Sequence, residues 1–391
     1  MQIDMHYYGT YALARAAGLN AETAKIIATA AQFVDDNAAN VGLTLDANSG
    51  NVFEDGAARI ATVATAHHVL DKANLEEDDQ RQVWIPFHFL PGNMGESYTE
   101  RLKCRMDSAI AREMVDHHLG LADRDFSPAL IGVTAHVYAD TFSHYGFSGV
   151  SSRGNAVDNS SFQFHEDIDG HSDSVNYDPL DQSVRDYIQE KMRKHFEKGS
   201  SWSGISIKNI RNAVTSYGAE IASGALGHGS VSTFPDRPYL VWAFRYERPD
   251  AVAGNISYRN NPATFMAAAR ALHQMFDRFR LLRRDFDDGT RRDFEVIHGI
   301  IKKAILFQGE CGKRIVAWQV AAEELGIGEI PPYQDDSSDE GWNNQWARLG
   351  DGKHFLSDAG QSPIWKFYQA ASIHRLYVLR DLLPRHGLIV H

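Results

Sequence analysis

An all-α fold is what the sequence predicts, on three observations. Apolar residues recur at helical spacing over most of the chain, strand-type alternation is almost absent, and capping residues and glycines bound the periodic stretches. The 391 residues then read as one predominantly helical unit, in which residues 1–275 carry the chemistry-bearing groups and residues 276–391 add helices packed against them.

The elements follow in order. Tyr8 to Ala17 forms a helix closed by Gly18, and Asn20 caps a second helix whose Ala24, Ile27, Ala28, Ala31 and Val34 share one face. Further helical patterns cover 57–75, 98–120, 128–145, 181–197, 205–223, 262–286, 291–325 and 364–383. Phe147 to Asp178 and Ile330 to Asn344 are polar or rich in Gly and Pro, and read as loop insertions.

Composition narrows the function. Apolar residues make up 43% and charged residues 23%, the balance of a globular chain. A net charge of -12 argues against affinity built on neutralising a phosphate backbone, and no glycine-rich phosphate loop, GxSxG elbow or HExxH motif is present. The start, Met1-Gln2-Ile3-Asp4, has no basic leader or apolar run, and no stretch approaches a membrane span, so a cytoplasmic chain is expected. With only Cys104 and Cys311 against eighteen histidines, a metal here would be held by imidazole and carboxylate.

The most informative segment is 127–146, SPALIGVTAHVYADTFSHYG. Ser127 suits the cap, Pro128 the first helical position and Gly146 the stop. The helix is apolar almost all round, hence buried, and His136, Asp140 and His144 stand four residues apart on one stripe. Three polar groups on a buried face favour a metal over a satisfied core network.

Other carboxylates and imidazoles extend the set. Asp35 continues the apolar face of the second helix at its C-terminus, where a negative charge opposes the macrodipole. Asp36 either follows it inward or, with Asn37, makes an Asx-type turn. His88 is enclosed in WIPFHFLPG, read as a buried non-helical segment; His228 is flanked by glycines in GHGSVSTFPD, with Asp236 following. Asp4 and His6 sit two apart in what reads as an extended stretch, hence on one side. His273, His298, His354 and His374 read as structural, FDRFRLLRR at 276–284 as a solvated face, and Trp202, Trp242 and Tyr239 as core or pocket aromatics.

In this order the motifs HYYGTYALARAAG, AAQFVDDN, FHFLPGN, AHVYADTFSH and GHGSVSTFPD resemble the zinc-dependent phospholipase C and single-strand nuclease superfamily. The patterns HYxxTYxLARxAG, ADTFSHYGFSG and GHGxxxxxPDxPY are also similar to those of a bacterial family of unassigned activity. The resemblance covers residues 1 to about 242. It implies a multi-helix bundle of the phospholipase C type and two or three zinc ions, with iron or manganese compatible on ligand type. Asp35, His88, His136 and Asp140 would hold a first ion, His6 with Asp4 or Asp140 a second, and His144, His228 and Asp236 a third, with Asp36 orienting or deprotonating a water. The implied activity is hydrolysis of a phosphodiester or phospholipid headgroup by a metal-activated water.

Three departures from the superfamily stand out. Its secreted members ligate zinc with the amino group of a processed N-terminal Trp; here Met1 begins the chain, leaving Asp4 in that place or one metal fewer. The gap from Asp140 to His144 is slightly short. The closing pair is eight residues apart, which keeps His165, Glu166 and His171 as rivals. An HD-type phosphohydrolase is the competing enzyme, although His67-His68 and His117-His118 lack the adjacent Asp. A helical module with one structural metal, or none, is the non-catalytic alternative.

Overall fold

The computed structural model describes residues 1–38, 43–44, 59–60, 62–66, 77–165, 226–231, 233–247, 256–335, 338–349 and 360–390. Their architecture is mostly helical. A π-helical turn, Asp4–Gly9, runs directly into α1 (Thr10–Ala16), and α2 (Ala21–Asp36) folds back on it. Asn20 accepts from Thr23 N at 2.9 Å as the N-cap, and Gly18 turns the corner at φ +92°.

Helix α3 (Glu77–Phe87), the short α4 (Tyr98–Arg101) and α5 (Ala109–Leu119) lead to α6 (Ser127–Ser143), whose residues are all buried. It packs against α2, α5, α7 (Asn261–Leu282) and α11 (Pro363–Leu376). Gly132 allows the approach of α2, because a Cβ there would lie 2.4 Å from Ile27 O. The helices that carry the stripe and Asp35 are thereby pressed together.

Helices α8 (Phe294–Ile305), α9 (Cys311–Glu324) and α10 (Trp342–Leu349) precede α11, which continues as a π-helical turn Tyr377–Leu382 and α12 (Leu383–Arg385). One apolar core contains Met5, Tyr11, Leu272, Phe276, Trp318 and Leu383, so N- and C-terminal helices share it. Residue 275 falls inside α7. No helix among the described residues is long and apolar enough to cross a membrane.

The structure departs from the sequence reading in several places. Five strands are present among the described residues. β1 (Leu43–Thr44) pairs with β2 (Arg59–Ile60), and β3 (Val157–His165), β4 (Val241–Tyr246) and β5 (Ile256–Asn260) form an antiparallel sheet in that order. The 98–120 and 291–325 stretches each break into two helices. Trp84 to Phe87 lies in the last turn of α3 despite Pro86, so His88 sits at a helix end. Phe126, not Ser127, is the N-cap of α6; Ser127 Oγ accepts from Arg283 instead. The stretches 181–197 and 205–223 lie outside the described residues, as does most of 57–75.

Candidate metal centre

The π-helical turn decides which N-terminal side chain reaches the centre. Residues two apart on a helix face different ways, so Asp4 and His6 part company. Asp4 is buried against α9, 2.8 Å from Arg314 Nε, while His6 points toward α6. Asp4 therefore stands in an ion pair, away from the ligand groups.

Three groups of ligand atoms, each within 4.8 Å of one another, gather at the inner end of α6: His6, His136 and Asp140; Asp35, His88 and His136; and His144, His228 and Asp236. His136 belongs to two of them, and Asp140 ties the centre together. Its Oδ1 is 3.2 Å from His6 Nε2 and its Oδ2 3.2 Å from His136 Nε2. In the third group His144 Nε2 and His228 Nε2 lie 3.1 and 3.6 Å from the two oxygens of Asp236.

The hydrogen bonds behind the centre fix the imidazole tautomers. His136 Nδ1 donates to Ala31 O at 2.7 Å, His88 Nε2 to Thr65 O at 2.8 Å and His144 Nδ1 to His88 O at 2.9 Å. A carbonyl only accepts, so in its neutral form each ring presents a lone pair inward. Such backing is the usual support of a metal-bound histidine. His136 Nε2 and His88 Nδ1 then meet at 3.2 Å as two lone pairs, an arrangement that needs a cation or an extra proton between them. Both nitrogens of His6 and Oδ2 of Asp140 are buried without a hydrogen-bond partner, although opposing atoms are near. Atoms that converge on common points without bonding each other fit metal ligation.

Protonation follows the same field. Burial, then His136 and the Met1 amino group, push His6 down to about 4, so it is a neutral donor near pH 7. Burial opposes the charge on Asp140, but His144, the Met1 amine, His136 and His6 hold it well below the usual carboxylate range. His88 is raised: Asp140 and Asp35 outweigh burial. The Met1 nitrogen sits among these groups, 2.7 Å from Asp140 Oδ1, 3.2 Å from Asp236 Oδ1 and 3.4 Å from His144 Nε2. Burial works against its charge, yet Asp140, Asp236 and Asp35 raise it to about 11. An ammonium held between two carboxylates is a stand-in for positive charge at this point.

The two adjacent aspartates separate. Asp35 joins the ligand group and is 32% exposed at the rim. Asp36 turns to solvent, where Tyr333 donates to it at 2.6 Å and Gln32 at 3.3 Å. Asp36 belongs to none of the three ligand groups and lies about 100° round the helix from Asp35. The sequence reading put Asp4 in the place of the superfamily's amino group or left one metal fewer, and the structure turns Asp4 away to Arg314. The aromatics Trp242 and Tyr239 are core, and His273 Nε2 donates to Arg292 O. His67, His68, Glu166, His171, Trp202, His354 and the side chain of His165 lie outside the described residues.

The arginines of 276–284 pair with aspartates, for example Arg280 with Asp277 and Asp287, and Arg283 also donates to Ala122 O and Ser127 Oγ. No curated protein and no solved structure is detectably similar to the chain. A family model, described as a family of unknown function, DUF6765, matches residues 1–382, and the chain belongs to that family.

Proposed function

We propose that this chain is a metal-dependent phosphoric ester hydrolase, acting on a phosphodiester or phospholipid headgroup with two or three zinc ions. The observation that carries the reading is the approach of His88 Nδ1 and His136 Nε2 to 3.2 Å, each ring bonded to a carbonyl through its other nitrogen, beside an Asp140 whose two oxygens serve different histidines. A carboxylate so placed suits a bridge between ions. Divalent ions a few ångströms apart polarise a water and offset charge on a phosphoester's leaving oxygen.

The chain's own residues supply the rest. Asp35, Asp140 and Asp236 carry three negative charges, fewer than two or three divalent ions bring, and the surplus favours an anionic substrate. Asp35 and His228 are the most exposed members, 32% and 18%, so substrate approaches between them. The partly exposed carboxylate of Asp35 would accept a proton from the attacking water.

Elemental analysis of the purified protein, with turnover of a nitrophenyl phosphodiester before and after chelation, tests the reading. Two or three ions and chelator-sensitive turnover are expected. A metal-replete protein inert toward phosphodiesters, phospholipids and single-stranded nucleic acid would return the chain to the binding-module alternative.

A further inference from the structure

A second group of histidines lies beside α6, and none of its members belongs to the ligand groups around Asp140, although His374 remains within electrostatic reach of His136. His117 and His118 end α5 and His374 comes from α11. His118 and His374 are both fully buried, with ring centroids 5.1 Å apart.

Their tautomers follow from the partners. His374 Nε2 lies 2.8 Å from Pro86 O, a pure acceptor, so Nε2 carries the proton and Nδ1 a lone pair. Thr134 spends its hydroxyl proton on Leu130 O at 2.6 Å, so it accepts from His118 Nδ1 at 2.9 Å, leaving His118 Nε2 a lone pair as well. Both remaining nitrogens, His118 Nε2 and His374 Nδ1, are buried without a hydrogen-bond partner, as is His117 Nδ1. A buried polar atom left in this state is costly. Burial also pushes His374 down to about 4 and His118 well down, so neither is relieved by a proton near pH 7. The backing of each ring by a carbonyl or hydroxyl repeats the device behind His88, His136 and His144.

Charge selects the occupant. The groups acting on His118 are other imidazoles, and the carboxylates near His117 are Glu113 and Asp381, the former engaged by Arg385 and His386. A divalent ion in a fully buried, carboxylate-free site would remain uncompensated, whereas a low-charge ion that accepts two imidazoles suits it. We propose that His118 Nε2 and His374 Nδ1 form a second metal site, built from residues outside the ligand groups around Asp140, for one soft monovalent ion of the copper(I) class.

The test is an anaerobic copper(I) titration of the zinc-treated full chain against a chromogenic chelator, with X-ray absorption at the copper edge. One equivalent with nitrogen-only neighbours is expected, whereas binding at Cys104 or Cys311 would show sulfur. His118→Gln and His374→Gln should each lose that equivalent without changing zinc content. Copper found on sulfur alone in the unaltered protein overturns the site, with no need for either variant to fold. Nitrogen-bound copper retained in a folded variant overturns it equally, and a separate zinc count keeps this result distinct from the fate of the hydrolase reading.

Discussion

The imidazoles of His6 and His136 stack face to face, centroids 3.9 Å apart and 18° from parallel, and each has its Nε2 3.2 Å from a different oxygen of Asp140. Two parallel rings served by one carboxylate describe a pair of neighbouring positions joined by Asp140. Asp140→Asn keeps the shape and removes the charge. It is expected to lower metal content by at least one ion per chain, read by elemental analysis; an unchanged count would remove the bridging role.

Asp35 and Asp36 make an internal comparison. Asp35→Asn should weaken metal binding, because its carboxylate lies 3.8 Å from both His88 Nδ1 and His136 Nε2. Asp36→Asn should leave metal content unchanged, since its partners are Tyr333 and Gln32. Competition against a fluorescent zinc chelator measures both, and the same loss in each variant would contradict the geometry.

Asp4 separates stability from ligation. Its buried pair with Arg314 is extended by Arg314 Nη1 donating to Gly309 O at 2.8 Å. Asp4→Ala leaves that guanidinium buried and unpaired, at a cost of about 3–5 kcal/mol in unfolding free energy. Metal content of the folded variant should equal that of the unaltered protein. Denaturant unfolding with a metal count checks both halves.

Acid should destabilise the metal-free protein through its depressed histidines. His374 has an ordinary value of 6.5 and is lowered to about 4 in the fold, and His6 behaves likewise. Between these values the unfolded chain binds more protons, so the contribution is complete above pH 6.5 and is lost as pH falls toward 4. For His374 alone the difference corresponds to about 3 kcal/mol. Unfolding free energies at pH 7 and pH 4.5 should therefore converge in a His374→Gln protein more than in the unaltered one. An identical pH slope in both would count against a neutral, buried His374.

The stripe on α6 was legible because a four-residue spacing on an apolar helix leaves three polar groups no other direction. His88 and His228 were legible from their tight flanking residues. Asp4 was misread because DMHYYG carries no mark of a π-helical turn, and an extended reading reverses which side chains share a side. The sheet escaped notice for a different reason: Val241 to Phe244 are all buried, so β4 shows no alternation, and one of its two partners, β3, lies far earlier in the sequence. The lone pairs of His118 and His374 were out of reach altogether, since a tautomer is set by Thr134 and Pro86, which only folding brings near.

The pairing of Asp4 with Arg314 also sets a timetable. The partners are 310 residues apart, and at ordinary rates of synthesis the first waits roughly 15–60 s for the second to emerge. Through that interval the turn bearing His6 lacks its clamp on α9. Every ligand residue of the centre, from His6 to Asp236, is therefore synthesised before Arg314, and the anchor is added to a ligand set already present in the nascent chain.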